Sequence, residues 1–282
     1  IQEAVESDID ENLKEAFREW LSVMNKGPES KKASEKILDI IAKGNYENNP
    51  RIKEILMFTD NFVKKSVWAI GGDGWAYDID FGGLDHVLAS GDDINIFVMD
   101  TEVYSNTGGQ CSKSTPTASV AKFAAAGKKI RKKDLGLIAM TYGYVYVAQI
   151  ALGANMNQAI KAITEAESYN GPSLIIAYSP CISHGIRTGM GTSIAEERKA
   201  VESGYWHLYR YNPDLRKEGK NPFILDSKEP SEEFMDFING EVRYTTLKNV
   251  FPDIADKMFE TAEEDARERY RKYRALAEND VL

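Results

Sequence analysis

Two groups of residues have the types and spacing for chemistry. The first is Gly71-Gly72-Asp73-Gly74, and the second is Asp100-Thr101-Glu102-Val103-Tyr104-Ser105-Asn106-Thr107-Gly108-Gly109. Glycines let the backbone turn tightly and come close to a phosphate. Asp73 offers a carboxylate and Thr101, 28 positions later, a hydroxyl. Both are hard oxygen donors of the kind Mg2+ prefers, and Mg2+ commonly bridges protein carboxylates to phosphate. If the two residues end neighbouring strands, they can share one ion, with a diphosphate lying on it beside the glycine amides. GGDG alone reads equally well as a plain turn; the second group carries the stronger signal.

Placing the two groups side by side requires a sheet. Short apolar runs with β-branched residues at 67–70, 94–99, 135–140 and 174–178 suit strands buried on both faces. Helical patterns at about 82–90, 118–127, 144–169 and 193–203 lie between them. This alternation predicts an α/β fold, a parallel sheet flanked by helices. Ligands of such sheets sit in loops beyond the carboxyl ends of the strands, here 71–74, 100–116 and 179–192. Residues 1–65 read as a helical lead-in, with a helix at 8–25 stopped by Gly27-Pro28, a second at 31–43 and a third at 51–63. Residues 66–204 form the α/β domain. Residues 205–282 form an extension packing on it, with strands near 206–211 and 223–226. A long helix at 251–279 carries Ile254, Met258, Ala262, Ala266, Tyr270, Tyr273 and Leu276 along one face.

The 282 residues are 43% hydrophobic and 28% charged, with a net charge of -9. An acidic chain has no broad electrostatic reason to bind nucleic acid. No apolar run approaches the ~20 residues needed to span a bilayer, so no membrane association is expected. The opening IQEAVESDID has neither a basic nor an apolar signal region, and a start at Ile1 suggests a piece of something longer. Cys111 and Cys181 are too few for a disulfide scaffold and suit a reducing cytoplasm. His86, His207, Tyr142, Tyr144 and Tyr146 read as packing residues. His184 lies in a loop on the ligand side of the sheet, where contact competes with packing.

Longer strings carry a family resemblance. GGDGWAYDIDFGGLDHVLASG, its continuation MDTEVYSNTGGQ, and the later YSPCISHG are similar to pyruvate:ferredoxin oxidoreductases, from about residue 66 to the end. The pairing of GDG with an Asn- or Thr-bearing loop ~30 residues on resembles the thiamine diphosphate signature. The resemblance implies thiamine diphosphate and Mg2+ as cofactors, with Asp73, Thr101 and the Val103 carbonyl on the metal. It implies cofactor contacts from Gly72, Asp73, Gly74, Trp75, Thr101, Glu102, Val103, Tyr104, Ser105 and Asn106, with Asn106 catalytic. It makes Cys181 the remote ligand of a 4Fe-4S cluster whose other cysteines lie upstream of Ile1, and leaves Cys111 without one. The implied reaction is oxidative decarboxylation of pyruvate with coenzyme A to acetyl-CoA and CO2, electrons leaving for ferredoxin or flavodoxin. The enzyme is expected to be a homodimer whose remaining domains supply the activating Glu, so this chain alone is expected to be inactive. The basic run 128–133 reads as a solvated turn or a face toward an acidic ferredoxin. Alternatives are a relative using NADP or another 2-oxoacid, and a non-catalytic subunit keeping the fold. Two departures from the family pattern are Asp80-Phe81 in place of Gly-Tyr and Cys111 in place of Ser.

Overall fold

The computed structural model describes residues 1–46 and 48–279. Residue 47 of the expected lead-in and residues 280–282 of the expected extension lie outside the described residues. The chain divides into two compact units, Ile1–Val67 and Trp68–Leu282, so residues from 205 onward share one unit with the α/β sheet.

The first unit consists of helices α1 (Gln2–Val5), α2 (Glu11–Val23), α3 (Gly27–Lys43) and α4 (Pro50–Leu56). Asp10 caps α2 by accepting from Asn12 N, and Asn49 caps α4 by accepting from Arg51 N and Ile52 N, satisfying amides that no helical carbonyl reaches. Gly27 and Pro28 open α3 instead of ending α2 alone. Proline suits a first helical turn, where its missing amide proton would be unpaired anyway. Leu13, Phe17, Ile37, Ile52 and Phe62 form the core of this unit.

The second unit follows in chain order as β1 (Trp68–Gly72), α5 (Phe81–Ser90), β2 (Asn95–Asp100), α6 (Leu135–Met140), β3 (Tyr146–Ile150), α7 (Met156–Ser168), β4 (Ser173–Tyr178), α8 (Ser193–Glu202), β5 (Tyr209–Tyr211), β6 (Phe223–Leu225), α9 (Phe234–Ile238), α10 (Val242–Val250) and α11 (Pro252–Asn279). The strands form one sheet in the order β1-β2-β4-β3-β5-β6. The first four are parallel, while β5 and β6 add antiparallel. No helix among the described residues is long and apolar enough to cross a membrane.

Three expected elements differ. The run 135–140 is helix α6, not a strand. Asp134 accepts from Leu137 N and caps it, and Leu135, Gly136, Ala139 and Met140 form its buried side. A short apolar run fits either element, and the cap decides. A Cβ on Gly136 would stand 1.9 Å from the Tyr209 hydroxyl, so glycine lets α6 lie close against β5. The missing strand is β3, buried throughout, which had been absorbed into the expected helix 144–169; α7 begins only at Met156, capped by Asn155.

The expected helix 118–127 is irregular. Ala118 and Phe123 both have φ 70°, and Cys111 N and Lys122 N bond Lys122 O and Gly109 O, respectively. Backbone pairing with the 104–111 loop overrides alanine's helix propensity. In α11, Ala262, Ala266 and Tyr273 are buried as expected. Met258 packs half-buried against the core, Ala255 and Phe259 are buried beside it, and Ile254 is exposed.

Candidate functional site

β1 and β2 run parallel with Gly72 opposite Met99. Asp73 and Thr101 therefore leave the sheet at adjacent points. Thr101 Oγ1 lies 2.8 Å from Asp73 Oδ1 and 2.9 Å from the Val103 carbonyl. A hydroxyl has one proton and can donate to only one of these acceptors at a time. With Asp73 ionised, three oxygens thus converge with a single proton among them. Ser112 Oγ donates to Asp73 Oδ2 at 2.6 Å, and this residue was not anticipated from the sequence.

Asp73 is only 1% exposed. Burial, with the charge of Asp100 in addition, raises its carboxyl to about 7 against hydrogen bonds from Ser112 and Thr101. A cluster of hard oxygens strained by its own negative charge suits a hard cation. Among the described residues no group of three or more His, Cys, Asp or Glu could hold a metal. One carboxylate, one hydroxyl and one carbonyl fit Mg2+ better than a softer transition ion.

An open cavity of about 300 Å³ lies over these oxygens. Nine of the ten expected contact residues line it: Gly72, Asp73, Gly74, Trp75, Thr101, Val103, Tyr104, Ser105 and Asn106, joined by Met99, Thr107 and Ser179. A Cβ on Gly72 would meet nothing nearer than Met99 O at 3.9 Å, leaving that backbone open to a close ligand. A Cβ on Gly74 would fall 2.5 Å from the Tyr104 ring, so this glycine lets the second loop fold onto the first. Residues 74–79 form a π-helical turn, a geometry frequent at functional sites. Asp80 accepts from Trp75 Nε1 at 2.9 Å, and Lys133 Nζ sits 3.0 Å from the centre of the Phe81 ring. The Asp80-Phe81 departure therefore steadies Trp75 and the start of α5.

Glu102 is the exception. Its side chain is 1% exposed and points beneath the loop. It is paired with Lys132 and Arg243, each at 2.9 Å, and accepts from the Tyr205 hydroxyl. Burial would raise its carboxyl, but Lys132 and Arg243 hold it down at about 2. In the basic run 128–133, Lys128, Lys132 and Lys133 turn inward rather than into solvent, whereas residues 129–131 stay exposed. Lys128 bonds Ser112 O and Thr115 O, Lys132 pairs with Asp100 and Glu102, and Lys133 bonds Tyr77 O. Arg131 pairs with Asp265 and Glu268.

The 179–185 loop flanks the same end of the sheet, because Ser183 Oγ would be 3.5 Å from a Cβ on Gly109. Cys181 follows β4 after Ser179 and Pro180. It is 9% exposed, and Ser183 N donates to its Sγ at 3.3 Å. Amide hydrogen bonds to sulfur are one way a protein tunes an iron–sulfur ligand. Cys111 is also a free thiol, with its Sγ on Ser112 O at 3.5 Å.

His184 does not line the cavity. It is fully buried, and burial, together with Arg243, pushes its pKa down to about 3. A neutral ring 2.7 Å from Thr101 O through Nε2 must carry its proton there and donate. His184 thus supports Thr101 from below. His207 is likewise buried, on Ala266 O, whereas His86 is exposed on α5.

The family described as thiamine pyrophosphate enzyme, C-terminal TPP binding domain, matches residues 58–177. A pyruvate-flavodoxin oxidoreductase from Klebsiella pneumoniae is 54% identical over 269 residues, 95% of this chain and 23% of the relative. A pyruvate:ferredoxin oxidoreductase from Moorella thermoacetica is 53% identical over 282 residues, 99% of this chain and 24% of the relative. A solved 2-oxoglutarate:ferredoxin oxidoreductase from Magnetococcus marinus aligns over 40% of each chain at 26% identity and a TM-score of 0.38. The chain spans about a quarter of the length of the curated relatives it matches. Over that span, with a match to a thiamine pyrophosphate-binding domain at residues 58–177, the chain is similar to the pyruvate:ferredoxin and pyruvate-flavodoxin oxidoreductases at 53% and 54% identity.

Proposed function

We propose that this chain holds the diphosphate and Mg2+ end of thiamine diphosphate in an enzyme that oxidises pyruvate with coenzyme A to acetyl-CoA and CO2. The observation that carries the reading is the convergence of Asp73 Oδ1, Thr101 Oγ1 and the Val103 carbonyl under a cavity edged by Gly72 and Gly74, in a chain 54% identical to a pyruvate oxidoreductase. Thiamine diphosphate, when bound, supplies the electron sink that decarboxylation of a 2-oxoacid requires. Asp73, Thr101 and Val103 hold the metal, and the open backbone at Gly72 receives the diphosphate. Trp75, Tyr104 and Ser105 shape the cavity wall. Asn106, exposed at the rim, offers an amide toward the 2-oxoacid. Cys181 supplies one thiolate to a 4Fe-4S cluster that carries electrons to ferredoxin or flavodoxin. The other three cysteines and the activating Glu come from the part of the enzyme that this chain does not span. The complete assembly is a homodimer.

Titration of the complete enzyme with thiamine diphosphate and Mg2+, followed by pyruvate-dependent reduction of ferredoxin and of flavodoxin, tests the reading. Saturable cofactor binding and pyruvate-dependent reduction are expected from the complete enzyme, and no reduction from the 282-residue chain by itself. A complete enzyme that binds no cofactor leaves only a structural subunit with this fold.

A further inference from the structure

We propose that Glu102 is a positioning residue of the metal site, a buried anchor that aims the Thr101 hydroxyl and the Val103 carbonyl at one point. The inference rests on the reading of the cavity as a Mg2+ and diphosphate site.

Glu102 stands between the two proposed ligands and adopts φ 58°, a left-handed conformation that a non-glycine residue holds only when its surroundings over-determine it. Those surroundings are complete. Its amide donates to Asp100 Oδ1 at 3.1 Å, and its carbonyl accepts from Thr115 Oγ1. One carboxylate oxygen meets Lys132 at 2.9 Å, and the other meets Arg243 at 2.9 Å and the Tyr205 hydroxyl.

The clamp is itself fixed. Lys132 also binds Asp100 at 2.7 Å, Arg243 binds Glu241 at 2.6 Å, and Tyr205 contacts the Tyr244 hydroxyl at 2.9 Å. Tyr205 lies 103 positions after Glu102, so the final third of the chain secures the backbone of the metal loop. Without the anchor, the chain can relax out of the left-handed region, which rotates the peptides on both sides. Thr101 Oγ1 and Val103 O, now 2.9 Å apart, would then diverge. Outer partners that orient metal ligands typically influence affinity 10–100-fold.

The test uses Mn2+ as a spin probe, in the full-length protein with saturating thiamine diphosphate. Glu102→Gln is expected to raise the Mn2+ dissociation constant about tenfold or more and to alter the bound-Mn2+ electron paramagnetic resonance spectrum at saturation. Glu102→Gly is expected to do the same although it relieves the left-handed backbone, because the anchor is gone. Should the buried Lys132 and Arg243 leave those variants unable to fold, Tyr205→Phe, which removes one hydroxyl and keeps the ring, is expected to raise the constant severalfold. A lower melting temperature with Mn2+ affinity and spectrum unchanged, while Asp73→Asn loses Mn2+ in the same assay, overturns the positioning role alone. If the unsubstituted protein binds no Mn2+, the site reading fails and this inference with it.

Discussion

Asp73→Asn separates the cost of the buried carboxylate from its use. In the metal-free protein the carboxyl is held near 7, against an ordinary value of 3.8, first by burial and then by Asp100. Ionising it there costs about 4 kcal/mol more than in the unfolded chain. The native state therefore binds more protons than the unfolded state between those two values, and stability falls as pH rises through that window. Its contribution is fully present below pH 3.8 and lost above about 7.

Asparagine keeps the shape and can still pair with the Ser112 and Thr101 hydroxyls, since each can donate or accept. The metal-free variant should consequently be more stable than the unsubstituted protein at pH 8, by up to about 4 kcal/mol. Metal binding should change in the opposite sense. The variant has lost the full negative charge on the ion, and its Mg2+ affinity with thiamine diphosphate should fall by about a thousandfold. In the unsubstituted protein, protons and Mg2+ compete for Asp73, so apparent affinity should drop roughly tenfold per pH unit below about 7. Thermal unfolding at pH 8 with and without cofactor, and calorimetric titration from pH 5.5 to 8, read both quantities. Unchanged Mg2+ affinity in the variant would refute the ligand assignment. A metal-free variant several kcal/mol less stable than its parent at pH 8 would refute the electrostatic account.

Thr101→Val removes a neutral donor and should weaken cofactor binding by only about tenfold, measured in the same titration. Gly74→Ala places a Cβ 2.5 Å from the Tyr104 ring. It should destabilise the protein by about 1–3 kcal/mol and lower cofactor affinity by displacing Tyr104; affinity equal to the parent's would show that this contact does not shape the cavity. Cys181→Ser in the complete enzyme should abolish one 4Fe-4S electron paramagnetic resonance signal and ferredoxin reduction, while Cys111→Ser leaves every cluster intact. Survival of all clusters in Cys181→Ser would make Cys181 a packed thiol.

Local chemistry determined much of this protein. GGDG after a β-rich run, and DTEVYSNTGG one strand and helix later, suffice to place Asp73 and Thr101 on adjacent strand ends, because parallel strands bring their carboxyl ends together. The apolar runs of β1, β2 and β4 were legible for the same reason. Ambiguity began where periodicity fits two elements. In α6, the Asp134 cap and the close approach of Gly136 to Tyr209 decided for helix, and β3 stayed hidden inside a longer apolar stretch. Tertiary structure alone decided the fate of the charges. Nothing near Lys132 in the sequence says that it will sit under the 100–106 loop rather than in solvent. No local pattern joins Tyr205 and Arg243 to Glu102. Burial makes these partners obligatory, since an unpaired charge in the interior is too costly to keep, and only the folded chain brings residues so far apart in sequence within hydrogen-bond reach.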